Sequence, residues 1–264
     1  MSPAGVYPPF VNGSMAQKVP KYYSQLAPFA PLFDAGLPIL MYHKIGPRPF
    51  GARLKGLYLS ASLFENQLKE LSLAGYRTVP FSENLEQPQL NNRRIILTFD
   101  DGFLNVLEYA LPLLQKYRFQ AIQYVVADLI GKANAWDLKV GEKAEPLMSH
   151  EQIKEWLQSG NEIGSHSCTH PHLSRLSLRD AQEEISGSKK RLEDMFQISI
   201  AHFCFPYGDW NEPLRDIVRE AGYSTAVTTE FGVNGPESNP LSLRRIMARY
   251  PSRSLKTFAE KLSF

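Results

Sequence analysis

Short apolar runs alternate with amphipathic stretches along most of the chain from residue 37 onward. Runs such as "RIILTF" and "AIQYVV" have the length and the β-branched content of buried strands. The stretches between them carry apolar residues three and four positions apart, which is typical of helices that cover one face of a sheet. Strands that alternate with helices predict a parallel sheet, either as a barrel or as a doubly wound sheet.

Capping residues and glycines allow the elements to be placed along the chain. Ser149 and Gln152 have capping-box spacing at the start of one predicted helix, and Gly160 ends it. The predicted helices span residues 62–74, 105–117, 149–160, 177–196 and 212–221. The predicted strands span residues 39–42, 76–79, 94–99, 121–126, 162–165, 202–205 and 224–229. The charges along the helix from Arg179 to Asp194 are expected to form a solvated face.

The first 36 residues have a different composition from the rest of the chain. They contain six prolines and little periodicity, so we expect an irregular arm over residues 1–36 that wraps the domain or stays mobile. Residues 37–264 are predicted to form the domain proper. A chain of 264 residues with 43% hydrophobic content suffices for a sizeable α/β core.

Charge and cysteine content exclude several classes of protein. The 29 basic and 27 acidic residues are interspersed, so no nucleic-acid partner is expected. The two cysteines, Cys168 and Cys204, do not form a spaced disulfide framework. No apolar run approaches the roughly 18 residues that span a bilayer, and the start lacks a secretory pattern. We therefore expect no transmembrane segment and a cytoplasmic location. The oligomeric state stays open.

Chemically capable side chains follow three of the seven predicted strands. His43 comes after "LMY", Asp100 and Asp101 come after "ILTF", and His166 and His170 come after "EIGS". In parallel α/β proteins the carboxyl ends of the strands meet at one rim, where loops from several strands build the site. These five residues are therefore expected to lie together.

Two histidines and one carboxylate at this rim would suit a metal ion. "HSCTH" separates His166 and His170 by four residues, which on a helical turn puts both rings on one face. Adding one aspartate gives a two-histidine, one-carboxylate set that leaves coordination positions open for catalysis. Adjacent side chains on an extended segment point to different sides, so the second aspartate could act as a base.

The segments "TFDDG", "HSCTH" and "FPYG", in this order, resemble the first three motifs of the NodB-type polysaccharide deacetylases, carbohydrate esterase family four. The resemblance implies a distorted (β/α)7-type barrel and metal-assisted removal of N-acetyl, less often O-acetyl, groups from glycans. It implies Asp100 as the general base. The metal ligands it implies are Asp101, His166 and His170, with zinc as the first choice and cobalt, nickel, manganese or iron suited to the same ligands. The backbone N–H of Tyr207 would stabilise the oxyanion.

The chain departs from the familiar pattern in three places. Cys204 stands where the third motif usually has an arginine, the late Asp/Trp motif is not identifiable, and no late "Leu-x-x-His" supplies an acid. The segment "ILMYHKIG" resembles the start of a permuted subgroup typified by poly-N-acetylglucosamine deacetylases, which implies His43 as the general acid. In that role a nearby carboxylate would have to raise its pKa. The subgroup also implies Arg245, with Arg244 as the alternative, as the partner of Asp100.

Aromatic residues near the motifs are candidates for a wall that binds a sugar ring. Tyr207 and Trp210 could pack against a pyranose, although Trp210 could equally cover the barrel rim. Trp136, with Asp137 after it, is a candidate for the same groove. Two other functions stay open at this point: a related metal-dependent hydrolase of a small amide, and a catalytically silent glycan-binding module.

Overall fold

Seven parallel strands close into a barrel in the computed structural model, which describes residues 19–81 and 93–249. In chain order the strands are β1 (Ile39–Tyr42), β2 (Lys44–Ile45), β3 (Tyr58–Leu59), β4 (Arg77–Thr78), β5 (Arg94–Phe99), β6 (Ile122–Val125), β7 (Glu162–Ser165), β8 (His202–Cys204), β9 (Thr225–Phe231) and β10 (Leu243–Met247). The barrel strands β1 and β5 to β10 confirm the predicted (β/α)7-type fold.

The barrel closes at β1, which pairs with both the second and the last barrel strand. Leu40 lies opposite Leu97 of β5 on one side and opposite Ile246 of β10 on the other. Strand β4 pairs in parallel with the amino-terminal end of β5, and β2 pairs with β3 outside the barrel. Strand β10 was not predicted, although it completes the ring.

Six α-helices lie on the described part of the chain: α1 (Ala30–Asp34), α2 (Ala61–Leu73), α3 (Leu111–Tyr117), α4 (His150–Gln158), α5 (Leu178–Phe196) and α6 (Glu212–Glu220). The predicted capping box is present at α4, where the side chains of Ser149 and Gln152 each accept from the other's backbone N–H. The helix predicted over 105–117 instead begins with a π-helical turn, Val106–Ala110. Pro112 lacks the N–H that a regular helix would use there, which favours the wider turn.

Buried apolar side chains form two layers. A small cluster, which includes Ile96, Ile122 and Leu243, fills the barrel interior. A larger cluster fills the space between the barrel and the helices. Alternate residues of a strand face opposite sides of the sheet, so each barrel strand contributes to both layers.

Residues 19–36, part of the predicted arm, pack on the barrel. Tyr23 and Phe29 are fully buried, and the N–H of Tyr23 donates to the carbonyl oxygen of Met247 at 2.8 Å. This segment thus contributes to the core, and the boundary at residue 37 stays a prediction. Residues 1–18, 82–92 and 250–264 lie outside the described residues. Within the described ranges, every helix is too short or too polar to cross a bilayer.

Candidate metal centre and active site

The first candidate carboxylate, Asp100, lies just beyond β5 on the side of the strand that faces the barrel interior. Ile96, Thr98 and Asp100 follow one another at alternate positions, so a single strand face carries all three inward. Arg245 of β10 meets Asp100 there: its Nη1 donates to Oδ1 and its Nη2 donates to Oδ2, each at 2.7 Å. Sequence reasoning named this arginine, and the structure places it, rather than Arg244, against the aspartate.

The guanidinium of Arg245 is fixed on every side inside the barrel. Its Nε donates to the carbonyl oxygen of Thr228 at 2.8 Å, and its Nη1 also donates to Thr98 Oγ1 at 3.0 Å. Burial by itself would raise the pKa of Asp100, but the charge and hydrogen bonds of Arg245 outweigh burial and hold this pKa below its ordinary value. Asp100 is thus held as a carboxylate.

Asp101 points to the opposite side because the chain turns sharply after β5. Asp101 has φ 77° and Gly102 has φ 81°, a left-handed conformation that aspartate and glycine tolerate. Asp101 Oδ1 lies 3.3 Å from Nε2 of His166 and 3.3 Å from Nε2 of His170. All three side chains are buried, so the turn brings the predicted ligand atoms together.

The segment that carries both histidines is not helical, and the expected helical turn is therefore wrong. Ser167 and His170 have φ of 66° and 65°, and the N–H of His170 donates to Ser167 Oγ at 3.0 Å. The carboxylate of Glu184 on α5 accepts from the N–H groups of Cys168 and Thr169, each at 2.9 Å. Side-chain hydrogen bonds thus replace helical ones.

Glu184 is a functional residue that sequence reasoning missed. Its charge was assigned to the solvated face of the helix, yet its carboxylate fastens the loop that holds the two histidines. The only signal in the sequence is its position about two turns along an amphipathic helix whose start follows the histidine motif.

The spacing of these ligand atoms fits a tetrahedral ion. Ligands about 2.0 to 2.2 Å from such an ion lie about 3.3 to 3.6 Å from one another, and the two histidine nitrogens lie 3.3 Å from Asp101 Oδ1. His166 Nδ1 is 2.8 Å from the carbonyl oxygen of Cys204, which leaves Nε2 for the ion. The set Asp101, His166 and His170 therefore fits a divalent metal.

A second set of potential ligands, Asp100, His166 and Cys204, fits a metal less well. Both oxygens of Asp100 are already bound by Arg245. Burial raises the pKa of the Cys204 thiol, so the thiolate that a metal needs is disfavoured. Cys168 is also buried, and burial raises its pKa to about 12. Neither cysteine is a suitable ligand.

His43 follows β1 and lies beside the paired aspartates. Its Nε2 is 3.8 Å from Asp100 Oδ2, and the residue lines the same cavity. Burial lowers the pKa of His43, and this effect outweighs the opposite influence of Asp100 and Asp101. The net direction is opposite to the one that the sequence argument required, although the predicted position is met. The assignment of His43 as the acid stays a prediction.

The turn Pro206–Gly208 lies across the cavity. Tyr207 adopts φ 61°, and its ring stacks on His172 at 3.9 Å and meets His170 edge-on at 4.5 Å. Gly208 has φ 68°, and a Cβ there would come within 2.0 Å of Thr229 Oγ1. Only glycine fits at this position, so the turn that orients Tyr207 depends on it.

These groups open into a cavity of about 990 Å³. The predicted site residues in its lining are His43, Asp100, Asp101, Trp136, His166, His170 and Tyr207. Trp210 is not among the lining residues; it packs on the core and donates to Glu230 Oε1 at 3.1 Å. Its position matches the alternative in which it covers the rim.

Comparisons with known proteins identify the family of this chain. The sequence model of the polysaccharide deacetylase family matches residues 87–226. The chain belongs to the polysaccharide deacetylase family. The protein YxkH of Bacillus subtilis (strain 168) is 31% identical over 216 residues, which cover 80% of this chain and 71% of the relative. A poly-beta-1,6-N-acetyl-D-glucosamine N-deacetylase of Staphylococcus aureus is 25% identical over 206 residues, covering 74% of this deacetylase and 69% of the relative.

Solved structures of similar proteins have the same fold. The Streptococcus pyogenes deacetylase PplD, in complex with acetate, superposes with a TM-score of 0.71 at 26% identity, covering 87% of this deacetylase and 99% of that chain. IcaB from Ammonifex degensii also superposes with a TM-score of 0.71 at 26% identity, covering 82% of this deacetylase and 93% of that chain. The family's members are hydrolases that generally depend on a metal, and this deacetylase has a group of residues suited to one.

Proposed function

We propose that this deacetylase removes N-acetyl groups from a glycan, or a glycan precursor, that contains N-acetylhexosamine. The observation that carries the proposal is the convergence of Asp101 with His166 and His170, at 3.3 Å, beside the Asp100–Arg245 pair. The similarity to a poly-beta-1,6-N-acetyl-D-glucosamine N-deacetylase supports the choice of sugar. Zinc suits one carboxylate and two imidazoles best, and cobalt, nickel, manganese and iron are the alternatives for the test.

The residues of the chain divide the chemistry among themselves. A divalent cation at Asp101, His166 and His170 supplies Lewis acidity and lowers the pKa of water from about 15.7 towards about 7. Asp100, held ionised by Arg245, accepts the proton of the attacking water at a carboxylate oxygen. The amide carbon then becomes tetrahedral, and the N–H of Tyr207 donates to its oxyanion, a contact worth roughly 3 to 4 kcal/mol of barrier.

The leaving nitrogen needs a proton, since an amide anion is a poor leaving group. His43 lies beside Asp100, with Nε2 3.8 Å from Oδ2, and is the candidate donor. Collapse of the tetrahedral carbon breaks the C–N bond and releases acetate and the amine. General acid catalysis of this kind contributes roughly 10²- to 10⁴-fold.

The test is acetate release from N-acetylglucosamine oligomers by metal-stripped protein, by protein reloaded with zinc or cobalt, and by reloaded His43→Ala. We expect metal-dependent release and a loss of about 10²- to 10⁴-fold in kcat for His43→Ala at unchanged metal content. His150→Ala is the matched control, because His150 lies on α4 and stacks on Phe196, away from the cavity. Bound metal without acetate release from any sugar would contradict the proposal and favour the small-amide hydrolase or the binding module.

A further inference from the structure

A third carboxylate lies in the cavity wall, and the proposed mechanism does not use it. Asp137 lines the cavity and exposes only 6% of its surface. The preceding residue, Trp136, stacks on His170 with ring centroids 4.4 Å apart. Among the described residues, the groups able to hold a metal do not include Asp137. Asp137 therefore lies beside the predicted metal centre without belonging to it.

Hydrogen bonds within the loop hold Asp137 in place, but they engage only one of its two carboxylate oxygens. Asn134 Nδ2 donates to Oδ2 at 3.0 Å, and the backbone N–H of Asp137 donates to the carbonyl oxygen of Asn134 at 3.3 Å. The Asp137 carbonyl oxygen accepts from the N–H of Glu142 at 3.2 Å. Among the backbone and side-chain groups that the structure describes, none donates a hydrogen bond to the other carboxylate oxygen. One acceptor is thus left for a group that enters the cavity.

Lys44, a buried cation whose charge acts on Asp137, does not supply the missing donor. Lys44 Nζ lies 3.0 Å from Glu145 Oε1 and 3.3 Å from the hydroxyl oxygen of Tyr58. Burial raises the pKa of Asp137, and the neighbouring charge of Asp101 adds to this rise. A carboxylate that has lost most of its water is stabilised by added hydrogen-bond donors, and a bound ligand can provide them.

Tyr207 lines the same cavity, and the charge of Asp137 acts on its hydroxyl group. Burial, together with the charges of Asp137 and Asp101, raises the pKa of Tyr207 to about 12. Tyr207 is 45% exposed, so part of its side chain remains available to a ligand in the cavity. An aromatic face packs against the C–H face of a pyranose, while a carboxylate accepts from its hydroxyl groups. The pair therefore suits a sugar ring held between the two side chains.

We propose that Asp137 accepts a hydrogen bond from a hydroxyl group of the reacting sugar and so determines which sugars the enzyme deacetylates. This inference rests on the proposed function, because it assumes that the sugar enters this cavity. A buried polar group that is left unpaired by a substrate lacking the hydroxyl gives strong discrimination. Asp137 is thus a specificity-determining residue, and the acid, the base and the predicted metal ligands are separate from it.

The test compares zinc-loaded wild type with Asp137→Asn, which keeps the acceptor for Asn134 but removes the charge. The substrates are an N-acetylglucosamine trimer, its analogues with one ring hydroxyl of the reacting sugar replaced by hydrogen, and 4-nitrophenyl acetate, which has no hydroxyl. Asp216→Asn, an exposed aspartate on α6 paired with Arg219, is the matched control.

We expect Asp137→Asn to lower kcat/KM for the trimer by roughly 10- to 100-fold and to leave 4-nitrophenyl acetate hydrolysis unchanged. For one deoxy analogue, kcat/KM of the wild type should be lower than for the trimer by the same factor. For Asp137→Asn, kcat/KM should be the same for this analogue as for the trimer. Equal losses for both proteins with every analogue would overturn the inference while the proposed function stands. The inference would also be overturned if Asp137→Asn only relieved product inhibition, because the carboxylate would then bind the ammonium group of the product. A loss of both bound metal and ester hydrolysis in Asp137→Asn would overturn it as well. Wild type that hydrolyses only the ester would refute the proposed function first.

Discussion

Removing the guanidinium of Arg245 leaves a buried carboxylate without its partner. Asp100 exposes 2% of its surface, so water cannot replace the two hydrogen bonds at 2.7 Å that Arg245→Met removes. Breaking a buried ion pair by removing one partner costs about 3 to 5 kcal/mol. For a chain of this length about 1 kcal/mol lowers Tm by roughly 2 to 4 °C, so we expect a fall of roughly 6 to 20 °C.

Arg244→Met is the matched control, because the neighbouring arginine lies exposed with Nε 3.9 Å from Glu230. Its loss should change the free energy of unfolding by less than about 0.5 kcal/mol. The assays are urea unfolding, which gives the free energy of unfolding, and thermal unfolding, which gives Tm; both are followed by far-UV circular dichroism in a chelator, so that metal binding does not contribute. Asp100→Asn combined with Arg245→Met should be more stable than the sum of the single losses, by about 1 to 3 kcal/mol.

Two results would refute this reasoning. Arg245→Met could cost no more than Arg244→Met, which would mean that the buried pair contributes nothing to stability. Alternatively, the double variant could equal the sum of the two single variants. The loss would then come from the contacts of Arg245 with Thr98 and Thr228, and the ion pair would have no part in it.

Two further predictions concern pH and metal affinity. Burial lowers the pKa of His202 to about 4, so the unfolded chain, with a histidine pKa of about 6.5, binds an extra proton between these values. The free energy of unfolding should fall by up to about 3 kcal/mol as the pH drops from about 6.5 to about 4, and His202→Gln, followed by urea unfolding at each pH, should lack this share of the slope. Glu184→Ala should lower zinc affinity by roughly 10- to 100-fold in a competition titration, because the histidine loop loses its anchor. Glu183→Ala, which removes only an exposed carboxylate 3.6 Å from Arg179, should not change it.

The position of the site followed from the sequence because the carboxyl ends of parallel strands meet at one rim. Alternation along β5 put Asp100 inside the barrel, and its neighbour Asp101 then had to face elsewhere. The conformation of the histidine segment did not follow, since the side chains of Ser167 and Glu184 replace its helical hydrogen bonds. Such tertiary contacts override a spacing rule, and no local pattern reports them.

The local sequence pattern also did not predict the strand that closes the barrel. Strand β10 carries two consecutive arginines, of which Arg245 is fully buried. A charged residue in a short apolar run weakens the signal of a strand, because the ion pair that offsets its burial comes from elsewhere in the chain. Residues 19–36 were likewise missed as core, because the buried rings of Tyr23 and Phe29 lie among prolines with no helical or strand period.

The Asp100–Arg245 pair also has a consequence for the order of events during folding. The two residues are 145 positions apart, and Arg245 belongs to the last strand of the ring. A nascent chain that has emerged only as far as β9 lacks the strand that closes the barrel and the arginine that pairs with Asp100, so it cannot form the buried, paired carboxylate of the finished site. Contacts of such long sequence separation form late and fold slowly. Competence for the reaction therefore arrives in one step with closure of the barrel, and partly synthesised chains stay catalytically silent.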